Sequence, residues 1–313
     1  MKLSNTASKN CFSGLFVALL SLYSISAVHA QVFVTNQSSN TIGEYDATTG
    51  AVINASFISG LSDPFYLALS GNNLYVSNVI SNTIGEYNAT TGAAINTVLV
   101  SGLSTPAQMI ISGNNLYVAN IQGNTIGEYN ATTGAVINAS FISGLHGPLG
   151  LALSGNNLYV SNGNGSTNTI GEYNATTGAA INASLISGLN SPSGIAISGN
   201  NLYVSNDFNT NTIGEYNATT GAAINVALIS GLSTPAEIAL SGNNLYVVNG
   251  NANKVGEYNA TTGAPINASL ITGLSLPAGI AIEATPEPST WALLLGGLGM
   301  LAFCHLRSRR ATN

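Results

Sequence analysis

Six glutamates recur at one place in a repeated tetrapeptide. They are Glu44, Glu86, Glu128, Glu172 and Glu215 in Ile-Gly-Glu-Tyr, and Glu257 in Val-Gly-Glu-Tyr. A converging ring of carboxylates would bind cations. However, the body from Gln31 to Glu283 contains no arginine, so Ser, Thr, Asn or backbone donors must stabilise these acids instead. A second polar set breaks the repetition: Asp63, Tyr66, Gln108, His146, Asp207 and Glu237 stand where the other copies differ. One histidine with scattered acids falls short of a transition-metal set, so no metal centre is assigned. Carboxylate and carbonyl oxygens would still suit calcium. The body has no cysteine nucleophile, no Gly-x-Ser-x-Gly elbow followed by an acid and a histidine, and no phosphate loop. Binding is therefore the expectation for these six residues. The enzymatic alternative is a metal-assisted lyase or lactonase centred on His146, Asp63 and Glu237.

The elements that must position these residues follow from the repeat. The tetrapeptide begins at Ile42, Ile84, Ile126, Ile170, Ile213 and Val255, giving spacings of 42, 42, 44, 43 and 42. A period of about 40 to 45 residues with strand-like content indicates propeller blades rather than a helical solenoid. In one unit, Ala107 to Ser112 is an apolar strand a, and Gly113-Asn114 suits a primed hairpin turn. Strand b follows from Asn115 to Asn120, and strand c from Thr125 to Tyr129. Asn130-Ala131-Thr132-Thr133-Gly134 then turns the chain into strand d, Ala135 to Ser143. An Asx-turn explains the Asn or Asp that opens each such turn. Four antiparallel strands make a blade.

The two ends of the body are out of phase with the repeat. Val32 to Asn36 is a strand b equivalent, and Pro277 to Ile282 is a strand a equivalent. Six complete blades form only if the last strand a joins the first strands b, c and d, which hides the ring's edges. The expected fold is all-β: a six-bladed β-propeller of four-stranded antiparallel blades. In such a disc the a–b and c–d turns share one face, and the b–c and d–a loops share the other. The turn face is nearly uniform. The loop face and the starts of strand a carry Asp63, Tyr66, Gln108, His146, Asp207 and Glu237, and differentiated loops around a central channel are where an asymmetric site is expected.

The ends of the chain carry addresses. Lys2 and Lys9, an apolar run from Phe12 to Tyr23 and a small-residue cleavage site between Ala30 and Gln31 make residues 1–30 a secretory signal. The propeller is expected over 31–283, and residues 284–313 form a tail. The body has no cysteine, hence no disulfide, and its one lysine, Lys254, faces eleven acids. Nucleic acid is excluded as a partner, because phosphate binding needs a basic surface.

The tail runs Pro286-Glu287-Pro288-Ser-Thr-Trp, then an apolar run from Ala292 to Cys304, then a cluster of arginines from Arg307 to Arg310. An interfacial tryptophan, a short apolar segment and terminal arginines read as a stop-transfer segment in contact with a membrane. This order closely resembles the PEP-CTERM sorting signal of Gram-negative bacteria. The resemblance implies recognition of Pro286, Glu287 and Pro288 by an exosortase-type enzyme, removal of the hydrophobic tail and delivery to the cell surface or extracellular matrix; a permanent, unprocessed membrane anchor is the alternative. Across 31–283, Asn-Leu-Tyr-Val-Ser-Asn and Pro-x-Gly-Ile-Ala-Ile resemble NHL and YncE-like propeller repeats, which serve enzymes, receptors and scaffolds alike. An exported, non-enzymatic binding or structural module is the resulting expectation. Its amide- and hydroxyl-rich surface suits extracellular polysaccharide, and a passive matrix protein without a specific ligand is the remaining alternative.

Overall fold

The computed structural model describes residues 30–163, 167–207 and 209–283. Residues Ala30–Ala284 form one compact unit. It contains six four-stranded antiparallel sheets, each a blade, and the innermost strands contact one another in a closed ring. In blade 3, strand a is Pro106–Ser112, b is Asn115–Asn120, c is Thr125–Asn130 and d is Val136–Ile142. Strand a therefore begins one residue earlier than the sequence pattern indicates, and strand d is shorter. Blades 2, 4, 5 and 6 begin at Pro64, Pro148, Pro192 and Pro235.

Blade 1 is built from both ends of the unit. Its strands b, c and d are Gln31–Asn36, Thr41–Asp46 and Val52–Ile58, and its strand a is Ile280–Ile282. Val32, Phe33 and Val34 pair with Ile282, Ala281 and Ile280. The pairing is shorter than the six residues expected, because the Thr35 hydroxyl accepts the Ala278 and Gly279 amides at 3.1 and 2.7 Å. Packing reinforces the closure. Val32, Val34 and Tyr45 of blade 1 share one apolar cluster with Tyr246, Val248 and Leu270 of blade 6.

The physical content of Ile-Gly-Glu-Tyr is legible blade by blade. The Ile or Val is fully buried between sheets. The Gly leaves room for the Tyr two residues on: a Cβ on Gly85 would lie 2.8 Å from the Tyr87 ring, and Gly43, Gly127, Gly171, Gly214 and Gly256 meet their tyrosines in the same way. The Glu side chains are buried, and each outside blade 1 accepts an amide from the Asn that opens strand b. Asn73 to Glu86 is 2.7 Å and Asn115 to Glu128 is 2.8 Å, with Asn157, Asn201 and Asn244 repeating the bond. The carboxylates thus have separate structural partners and do not converge. In the c–d turns, Asn88 Oδ1 accepts the Thr90 and Thr91 amides, and Asp46 does the same in blade 1.

Two asparagines clamp five of the six loops between blades; in the loop from blade 4 to blade 5, Asn206 accepts the Asn190 amide while the buried Asn168 Oδ1 has no partner among the described residues. Asn40 at a c-strand start accepts the Asp63 amide at 2.8 Å, while Asn78 at the next b-strand end accepts the Ser62 amide at 3.1 Å. The pairs Asn124 with Gly147 and Asn162 with His146 repeat the device. These bonds fix the loop backbones.

Candidate functional site: a closed channel beneath a differentiated loop face

The third residue of strand a in blades 2 to 6, and in blade 1 the third residue of the segment that begins at Pro277, hold equivalent positions around the axis. Around the ring these are Tyr66, Gln108, Gly150, Gly194, Glu237 and, in blade 1, Gly279. Three of the six carry side chains and three are glycines. Tyr66 stands opposite Gly194, Gln108 opposite Glu237, and Gly150 opposite Gly279.

The glycines are required by close backbone approach. A Cβ on Gly194 would sit 2.5 Å from the Ala236 carbonyl, one on Gly279 would sit 2.6 Å from the Phe65 carbonyl, and one on Gly150 would collide with the Ser193 carbonyl. Around the axis the strands are packed too tightly for six side chains, so three carry the filling.

Gln108 and Glu237 bridge the channel. Gln108 Nε2 donates to Glu237 Oε1 at 2.8 Å, and Gln108 Oε1 accepts the Leu151 amide at 2.8 Å. The backbone donor at Leu151 fixes the orientation of the amide, so Gln108 can only donate to Glu237. Glu237 Oε2 accepts the Ile280 amide at 2.6 Å. Each side chain therefore also ties its blade to the strand a that follows, at the residue after a glycine.

The supporting b strands differ accordingly. Thr35, Ser77, Ser161 and Ser205 carry hydroxyls that bond strand a backbone, whereas blades 3 and 6 have Ala119 and Val248. Those are the two blades whose strand a supplies the bridge.

Glu237 and Tyr66 are almost wholly buried. Burial pushes the Glu237 carboxyl well above the ordinary carboxylate range, against the opposing pull of the Ile280 amide and Gln108. Burial also raises the Tyr66 phenol, and the charges of Glu237 and Asp207 add to that rise. Four residues singled out in the sequence, Tyr66, Gln108, Asp207 and Glu237, are thus brought to one channel. Asp207 is half-buried at its loop-face rim, where burial raises its carboxyl.

The other two remain in the loops. Asp63 is half-buried with its carboxyl raised by burial, and His146 is exposed. No group of three or more His, Cys, Asp or Glu side chains among the described residues could hold a metal. Ala30 and Gln31 lie at the start of the first strand, where the Ala30 carbonyl accepts the Ala47 amide at 2.9 Å. Pro286, Glu287 and Pro288 lie outside the described residues.

Two cavities lie away from the axis, and sequence reasoning did not single out either. One, of about 390 Å³, runs between blades 1 and 2 and is lined by Phe57, Tyr87, Ser59, Ser81, Thr83 and Thr97 among others. The second, of about 320 Å³, opens between the loops of blades 6 and 1 beside Ser38, Asn251, Asn253, Ser275 and Leu276. No charged side chain lines either cavity.

Residues 22–226 match the PQQ_2 family, described as outer membrane protein assembly factor BamB, over about two thirds of the chain. The chain belongs to that family. A second match places the PEP-CTERM protein-sorting motif at residues 284–310 of this PQQ_2 propeller. The motif implies recognition by an exosortase, and with it export and association with the cell envelope of a Gram-negative bacterium. A comparison with curated proteins found no match. Among solved structures, a chain of the crystal structure of the Nidogen/Laminin Complex is similar to this PQQ_2 propeller at 15% identity and a TM-score of 0.71, covering 82% of this chain and 100% of that one. The streptogramin B lyase structure is similar at 20% identity and a TM-score of 0.58, covering 80% and 82%. At these identities the likeness is one of fold.

Proposed function

We propose that this chain is an exported, envelope-associated propeller that binds a neutral polysaccharide on its loop face without catalysing a reaction on it. The observation that carries this reading is the chemistry of its cavities. They present hydroxyls, amides and backbone groups with Phe57 and Tyr87, and no charge. Sugars have apolar faces and many hydroxyls, so such linings are complementary to them. Asp63, His146 and Asp207 add polar side chains to the loop face outside these cavities, the two aspartates acting as acceptors for sugar hydroxyls.

Tyr66, Gln108 and Glu237 close the floor of that face. With Glu237 engaged by Gln108 and Ile280, the floor supports the loops and is not an open acid–base centre. The similar folds differ in role, one being a chain of a Nidogen/Laminin complex and another a lyase, so the fold does not select between binding and catalysis. A screen of residues 31–283 against an array of neutral and acidic glycans tests the reading. Selective retention of neutral polymers is expected. Turnover of a glycan or lactone that disappears in the His146→Ala and Glu237→Ala variants would replace binding with catalysis.

A further inference from the structure

The outermost strands are unlike the rest of the molecule. Strand d of each blade ends its sheet and has a ladder partner on one side only. Strand b residues are nearly all buried, but the first five residues of every strand d are exposed on both faces. They include Ile53, Ile95, Ile137, Ile181 and Ile224, each between 50% and 54% exposed, so that substitutions there reach no core.

None of the six outer strands contains an acid or a base. Proteins ordinarily blunt such edges with lysine, proline or inward charges. Only blade 6 does so here: Pro265 opens its outer strand, and Lys254, the body's one lysine, reaches across to Ser269 at 3.1 Å. In blades 1 to 5 the edge has no proline or lysine: its local devices, shared with blade 6, are the register shifts of the c–d ladder and an asparagine that accepts the amide two residues on, as Asn54 does for Ser56 at 3.1 Å.

We propose that copies of this chain associate with one another edge to edge, through the outer strands of blades 1 to 5. A second copy is the occupant these edges fit. The eleven acids of the body lie off the outer strands, so two copies can bring these edges together with no charge at the contact. The edges are also self-complementary. When Val52–Ile58 pairs antiparallel with the same strand of a second copy about a two-fold axis, Ala55 meets Ala55, Asn54 meets Ser56 and Ile53 meets Phe57, an isologous contact with polar against polar and apolar against apolar. Such pairing completes the backbone hydrogen bonds that each sheet leaves open and covers the exposed isoleucines. Up to five edges per ring would let an exported propeller build a sheet-like array. The proposal does not depend on glycan binding.

The body contains no cysteine, so a single introduced thiol reports only contacts between copies. Purified residues 31–283 carrying Ala139→Cys, on an open edge, are compared with Ala268→Cys, on the guarded edge of blade 6, using a short bismaleimide cross-linker. Covalent dimers are expected from Ala139→Cys and not from Ala268→Cys. In sedimentation velocity, the unsubstituted body should associate with rising concentration. A variant with lysine at positions 53, 95, 137, 181 and 224 should associate at least about tenfold more weakly while keeping its circular dichroism spectrum. Three results would overturn the proposal: a monomer at every concentration, equal cross-linking at both positions, or retention of the unsubstituted body, but not the lysine variant, on phosphatidylcholine vesicles with no self-association.

Discussion

Gln108 and Glu237 meet across the axis of the ring, Nε2 to Oε1 at 2.8 Å, from blades that face each other. Each also holds a backbone amide of the following blade. The bridge therefore ties blade 3 to blade 6 across the axis and each of them to the blade that follows.

Removing the donor exposes the cost of the buried carboxyl. Gln108→Ala leaves Glu237 short of one partner and the Leu151 amide without its acceptor. A loss of at least about 1–3 kcal/mol is expected, more if the carboxyl stays charged. Urea denaturation measures it, and a change in midpoint no greater than that of Thr132→Ala on the exposed turn would argue against a structural bridge.

The raised Glu237 carboxyl links stability to pH. In the native state it retains a proton that the unfolded chain releases near the ordinary value of ~4.3. Its stabilising contribution is full below that value and is lost as pH rises through the folded value. The wild-type protein should therefore lose stability relative to Glu237→Gln as pH is raised from about 4 towards neutrality. Parallel stability curves for the two proteins would mean that Glu237 titrates normally. Tyr66 and Asp207, the neighbouring ionisable groups, remain in both proteins.

Channel glycines and turn glycines should respond differently to alanine. In Gly194→Ala the new carbon meets the Ala236 carbonyl and Glu237 backbone, which cannot move without shifting strand a of blade 6. Gly71 has open space and only a positive φ of 55°. Thermal denaturation should show a large loss for Gly194→Ala, and for Gly71→Ala the ~1 kcal/mol typical of a strained turn. Equal effects would contradict the tight packing around the axis.

Much of this architecture was legible because it repeats. The spacing of Ile-Gly-Glu-Tyr gave the blade count, and the phase offset between Val32 and Pro277 indicated closure through strands from both ends. The Asx role of Asn88 followed from the presence of Asp46 in the same place. The bridge was not legible, although Gln108 and Glu237 stood out as singular residues. Their pairing depends on blades 129 residues apart facing each other at one height, which no local pattern encodes. The signal that points to it is the replacement of the b-strand hydroxyl by Ala119 and Val248 in those two blades alone. The exposed rim was not legible either: strand d lies outside the cover of neighbouring blades, so apolar residues such as Ile53 and Val136 stay exposed there.

The loop-face assignment is tested most directly by titrating a neutral polysaccharide retained in the glycan screen into three versions of residues 31–283. These are the unsubstituted body, a loop-face variant with Asp63→Ala, His146→Ala and Asp207→Ala, and a turn-face variant with Thr90→Ala, Thr132→Ala and Thr176→Ala. Calorimetry should show binding weakened by about tenfold or more in the loop-face variant alone. Equal affinity in all three proteins, or a loss confined to the turn-face variant, would contradict the placement of the binding site on the loop face.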